Sequence, residues 1–207
     1  EDDIENLERE TKRRWPTISL AAGQAKIGLQ TIKQAYVAEM MNKRKEEGSA
    51  PSLALFRSSD VCSPYVIACN TGNLPAKLVL AALSGIQMLL DFGLVPPDNA
   101  PNVIMALRGA ATANKSSLGS SLFEVQMKVL QLELQLLNFL ATDAEALPNL
   151  TESTVNGFLL LALQLANDGS STSVTSTAFA TLKQMINVLM NSVGDLAAAK
   201  ACLADSE

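Results

Sequence analysis

The sequence predicts an all-α chain built as an armadillo- or HEAT-like α-solenoid of about seven or eight helices. Three observations point there. Apolar residues make up 48% of the chain but aromatic ones only 4%, so the apolar mass is largely Ala, Leu and Met, which favour helix, with Val and Ile beside them. Those residues recur at three- and four-residue spacings through long windows, and no stretch alternates as a half-buried strand would. Gly/Pro/Ser-rich turns then string the helices in pairs, at roughly 40 residues per pair, a period typical of helical-repeat arrays. A closed helix bundle is the alternative fold. The 207 residues are read as one domain, 1–207, long enough to bury roughly 70% of the unfolded surface without staples.

A short helix is expected from Asp3 to Arg14, and a long one opening near Pro16, a residue suited to a helix's first turn. On the long helix Ile18, Ala22, Ala25, Leu29, Ile32, Tyr36 and Met40 form one apolar stripe, expected to pack on the following helix. KRKEEGSAPS then mixes charge, Gly, Ser and Pro, so a flexible loop is placed near 43–60. Pro64 is expected to open a short helix ending at Asn70–Asn73, with Gly72 in the left-handed cap conformation. Pro75 starts the next helix, whose broad face is Leu78, Val79, Ala82, Leu83, Ile86, Leu89 and Leu90; Gly85 inside it reads as a close-packing position.

DFGLVPPDNAP separates that helix from one running from about Pro101 to Ala113. Leu118–Leu140 is a long helix with Leu122, Val125, Val129, Leu132, Leu136 and Phe139 on one face. Thr151 and Glu152 begin a helix to Ala166. The last strong helix covers Val174 to about Val193, with Phe179, Leu182, Met185, Ile186, Leu189 and Met190 turned inward, and its tail is helical or frayed.

Composition narrows the function. The chain has no histidine, which removes the usual general base and the commonest metal ligand, so a Ser-His-Asp or Cys-His site cannot be built from it. Asp143 with Glu145, and Glu124 with Glu133, read as helix starts and solvated faces rather than a catalytic carboxylate pair. The glycines of CNTGNLPAK do not match phosphate-loop spacing, and no strand precedes them. No enzyme activity, cofactor or metal site is therefore expected. A net charge of −5 argues against nucleic acid as a partner. The three cysteines, Cys62, Cys69 and Cys202, lack zinc spacing and read as reduced thiols. The charged start EDDIENLERETKRRW is not a signal peptide, and no apolar run reaches the ~20 residues of a membrane span.

Three stretches carry a family resemblance. KRRWPTISLAAGQAKIGLQTIK (12–33) resembles the basic-aromatic-Pro opening of the Mon-two (Ysl-two) Golgi scaffolds; PYVIACNTGNLPAKLVLAALSGIQMLL (64–90) is similar to their P-x-x-x-x-C-x-T stretch with the helix after it; TSTAFATLKQMINVLM (175–190) is similar to their Ala-Thr-x-x-Gln-Met helix. Order and spacing carry the match more than any one motif. On that basis the chain is identified as the N-terminal DCB (dimerisation and cyclophilin-binding) domain of a Mon-two-like protein, a domain shared with the large Arf guanine-nucleotide exchange factors of the Sec-seven and BIG type.

The resemblance implies a scaffold or regulatory module of Golgi–endosome vesicle trafficking, peripheral on trans-Golgi network and endosome membranes. It implies a homodimer or a contact with a following HUS-type domain, a Dopey-like partner and an Arf-like GTPase. Two alternatives stand beside it: the regulatory N-terminal domain of a true Arf exchange factor, and a peripheral module for anionic lipid. The loop near 43–60 departs from the family, so no contact is carried over there. Expected partner-binding positions are Trp15, Tyr65, Asn70, Asn73, Lys77 and Gln87, each with the alternative reading of capping, solvation or core cover. Gln184 and Asn187, on the third stretch, either bind or hydrogen-bond between helices. Lys12, Arg13 and Arg14 are expected to meet lipid headgroups or to be a solvated helix end.

Overall fold

A computed structural model describes residues 2–43, 56–112 and 118–204, and among them eight α-helices and no strand are found. They are α1 (Asp2–Thr11), α2 (Pro16–Lys43), α3 (Ser59–Asn70), α4 (Ala76–Asp91), α5 (Ala100–Thr112), α6 (Leu122–Thr142), α7 (Glu152–Asp168) and α8 (Thr172–Ala204). Four hairpins result: α1/α2, α3/α4, α5/α6 and α7/α8. The helices stack in two layers. In one, α1 touches α4, α4 touches α6 and α6 touches α8; in the other, α2 touches α3, α3 touches α5 and α5 touches α7. Each hairpin bridges the layers, and one continuous apolar core runs between them. This is the all-α solenoid. The first hairpin enters in reverse order, because α2 and α3 follow one another within the same layer.

Local chemistry sets the ends of these elements. Gly93, at φ +63°, closes α4 with a paired cap: its own N–H reaches the Leu90 carbonyl at 3.0 Å and the Leu94 N–H reaches Leu89 at 2.7 Å. Thr151 caps α7, its hydroxyl accepting the Thr154 N–H at 3.3 Å.

Several expectations shift. The left-handed residue after α3 is Asn73, φ 59°, rather than Gly72; Asn tolerates that region, and Leu74 next to it must reach the core. Pro64 lies within α3 rather than at its start, because the helix begins earlier to bury Val61 and Cys62. Pro75 precedes α4 as its N-cap rather than opening it. In α8, Met185 is buried and Leu182 and Leu189 are half-buried, but Phe179, Ile186 and Met190 face outward, since no helix stacks beyond α8 among the described residues to receive them. The loop placed near 43–60 falls mostly on 44–55, outside the described residues.

A candidate partner-binding face

The expected site residues converge on the first two hairpins. Tyr65 projects from α3 toward α4, where Gly85 receives its ring: a Cβ on Gly85 would sit 2.3 Å from the ring. That glycine, read from sequence as a close-packing position, is what lets the tyrosine lie flat between the two helices. Tyr65 is only 4% exposed, and burial first, then the Asp3 carboxylate, raises its phenol above the ordinary range. Its exposed edge floors a cavity of about 250 Å³ shared with Asp3, Asn6, Leu7 and Glu10 of α1 and Lys77, Leu78 and Ala81 of α4. At its rim the exposed Lys77 ammonium donates to Glu10 at 3.0 Å. Tyr65 and Lys77 are thus brought to one cavity.

The others spread along the stack. Asn70, at the end of α3, arches over Gly109 of α5, where a Cβ would lie 2.6 Å from the Asn70 Oδ1. Asn73 is exposed on the α3–α4 turn. Gln87, half-buried on α4, accepts a hydrogen bond from Lys128 of α6. Lys128 also lines an open groove with Leu80 and Ser84 of α4, Met127 and Gln131 of α6, and Thr181 of α8. Trp15 packs half-buried against the core at the α1–α2 turn, and Lys12, Arg13 and Arg14 stand exposed just before it. Gln184 and Asn187 are exposed on α8.

Sequence reasoning missed two polar residues, Arg57 and Gln126, that hold these surfaces in place. Arg57 donates to the Gly93 carbonyl at 2.8 Å and pairs with Asp143 at 2.6 Å and Glu145 at 2.8 Å, while its guanidinium lies 5.5 Å from the Phe139 ring centre. It ties the approach to α3 to two distant turns. Partial burial of Asp143 works against ionisation, but the hydrogen bonds from Arg57 and the Glu145 amide outweigh it and lower its pKa below the usual 3.8. Arg57 sat in the stretch read as loop, so nothing in the sequence flagged it, and the Asp143–Glu145 segment is a clamp rather than a solvated helix start. Gln126, buried on α6, donates to Ala111 at 3.3 Å and accepts from the Ser170 N–H at 2.9 Å, joining the ends of α5 and α7.

Glu133, expected on a solvated face, is fully buried on α6, and neither carboxyl oxygen has a hydrogen-bond partner. Burial drives it up to about 9, offset only in part by the nearby Ala162 backbone. Polar and apolar residues alternate around it, Gln131-Leu-Glu-Leu-Gln135, which gave no sign of which face it would take.

Cys62 and Cys69 are both buried, free thiols; burial raises Cys62 to about 11 and Cys69 further, so both pack as small apolar groups. No group of three or more acidic or sulfur ligands suited to a metal occurs among the described residues, and no described helix is long and apolar enough to cross a membrane. What the arrangement offers is surface: a cavity, a groove along the α4–α6–α8 layer and a basic turn on a helical stack.

Comparison with known protein families gives a match over most of the chain. The sequence profile described as "DCB: Mon2/Sec7/BIG1-like, dimerisation and cyclophilin-binding domain" matches residues 1–195, which include every helix from α1 to α7 and most of α8. No curated protein matches the chain.

Proposed function

The chain belongs to the Mon2/Sec7/BIG1-like family of dimerisation and cyclophilin-binding domains, and on that footing we propose that it is a non-catalytic scaffold module of Golgi–endosome vesicle trafficking. In this reading it associates with itself and with partner proteins, among them an Arf-like GTPase, a Dopey-like protein and a following HUS-type domain, at trans-Golgi and endosome membranes. The observation that carries the reading is the extent of the match: a binding-domain family accounts for residues 1–195, and the stack those residues build presents faces of helices. The polar side chains at the Tyr65 cavity support it too. Lys77 and Glu10 are tied to each other, and Tyr65 is held in its un-ionised form by burial, so the cavity suits recognition better than proton transfer.

Retention of Arf and Arf-like GTPases by immobilised residues 1–207, each loaded with a GTP analogue or GDP, tests the proposal. Preferential capture of one GTP-loaded form is the expected result, with Lys77→Glu weakening it. Capture of neither form moves the function to self-association and to contacts with Dopey-like or downstream domains.

A second reading is favoured by one feature, the three consecutive exposed cations Lys12, Arg13 and Arg14. Each is worth about 1 kcal/mol near an anionic bilayer. Vesicle flotation that is unchanged by reversing all three charges would remove lipid binding through this turn.

A further inference from the structure

We propose that the cavity over Tyr65 receives a cationic side chain, arginine or lysine, from a basic segment of a partner protein. The inference rests on the partner-binding reading above and adds the chemistry that its cavity accepts. Two polar groups there are left over. Tyr65 is 4% exposed, yet its hydroxyl makes no hydrogen bond among the described residues and is not sealed from solvent. It opens on the cavity that Tyr65 lines. Asp3 lines the same cavity and forms no ion pair among the described residues. After burial, the Asp3 charge is the next largest cause of the raised phenol pKa, so the two groups share one small space. Glu10 is different, because Lys77 already holds it at 3.0 Å.

What stands open is therefore a carboxylate and a phenol oxygen, both able to accept a hydrogen bond. Leu7, Leu78 and Ala81 supply apolar walls beside them. A guanidinium or ammonium group donates to both oxygens while its aliphatic stem lies along the walls. Arginine suits best, since its planar fork reaches two acceptors at once. An anionic side chain would meet Asp3 as a like charge, and a neutral one would leave that charge uncompensated. A volume of about 250 Å³ falls below the ~300–1,000 Å³ of sites that take a whole small ligand, so it fits one anchoring side chain.

The approach carries the matching sign. α1 holds Asp2, Asp3, Glu5, Glu8 and Glu10 against Arg9. Glu5 and Glu10 are paired, with Lys26 and Lys77, while Asp2 and Asp3 at the start of the helix are not among the described ion pairs. A basic segment is drawn to that end of α1. The cations Lys12, Arg13 and Arg14 begin about 14 Å further along the chain axis, beyond the ~8 Å screening length at physiological salt.

The test is a chemical-shift titration of residues 1–207 with the peptide acetyl-Ala-Leu-Arg-Leu-Ala-amide. The same peptide with lysine or citrulline in place of arginine, and n-butylguanidinium alone, complete the series. Saturable shifts centred on Asp3, Tyr65 and Ala81 are expected with the arginine and lysine peptides. Citrulline keeps the shape of arginine and loses its charge, so that peptide should bind at least fivefold more weakly. Asp3→Asn and Tyr65→Phe should each weaken the arginine peptide at least threefold with Tm unchanged. Lys77→Glu should tighten it, the opposite of its expected effect on GTPase capture, so the two readings fail separately. Equal binding of the arginine and citrulline peptides, no shift at the cavity with any peptide, or indifference to Asp3→Asn overturns the proposal and leaves the GTPase reading to its own assay. Binding of n-butylguanidinium as tight as that of the arginine peptide also overturns it, by making the occupant a small free cation.

Discussion

α2 and α4 are both long, both rich in aliphatic residues, and end up in opposite circumstances. α4 buries Leu78, Val79, Ala82, Leu83, Ile86, Leu89 and Leu90, because it has α3 across the layers and α1 and α6 on either side within its own. α2 buries Ile18, Ala21, Ala22 and Ala25 and no later side chain among those described. The stripe read from its sequence continues through Leu29, Ile32 and Tyr36, yet those are only half-buried. Tyr36 is partly covered by Phe56, whose ring centre lies 5.4 Å away. Burial in a solenoid is thus decided by how many neighbours a helix has in its layer, and an apolar stripe is a necessary condition without being a sufficient one.

The largest effect should come from emptying α4's core side. Leu83 is fully buried, so Leu83→Ala should cost about 2–5 kcal/mol in urea unfolding; a loss below about 1 kcal/mol would mean the middle of the stack is as loosely packed as its end. Crowding the same helix should come next. Gly85→Ala places a methyl on the Tyr65 ring and should cost on the order of 2–3 kcal/mol, with Tyr65→Leu in the same chain restoring part of it in a double-mutant cycle. Additive losses would break the Gly85–Tyr65 account.

Removing the clamp should cost somewhat less, about 2 kcal/mol for Arg57→Ala, since it strands partly buried partners. The pH dependence gives its sign. Asp143 has a lowered folded pKa, so its contribution is present above the usual 3.8 and is lost as pH falls through the lower folded value. Arg57→Ala should flatten that acid limb of the stability curve.

Glu133 works in the other direction. Its folded pKa stands at about 9 against an ordinary 4.5, so between those values the folded chain holds a proton that the unfolded chain releases, and stability falls as pH rises across that window. Glu133→Gln should remove the slope, and Glu133→Leu should add about 1–2 kcal/mol at neutral pH by removing a buried unpaired acid; thermal melts at pH 5, 7 and 9 measure both. The smallest effect closes the comparison. Ile27→Ala on the outer side of α2 should change the stability of the monomer by less than about 0.5 kcal/mol, and a loss like that of Leu83→Ala would mean that something within the monomer covers α2.

The amino-acid sequence by itself determined the helices and their pairing. Spacing of apolar residues, Pro and Gly at the joints and a capping Thr151 are local signals, and each acts within a few residues of where it is written. It also carried the family, through the order of three helical stretches, and the meaning of Gly85 as a close contact, since a glycine inside a strong helix pattern needs a packing reason. It did not decide which apolar positions are covered. Phe179, Ile186 and Met190 belong to the same pattern as Met185, and Glu133 sits among leucines that point both ways. Only the stacking of layers assigned their faces, because a helix knows its own periodicity but not on how many sides it will have neighbours. Nor did it reveal Arg57, whose partners lie 36, 86 and 88 residues away. A contact made across such a separation leaves no periodic trace in the chain and exists only once four hairpins have been brought side by side.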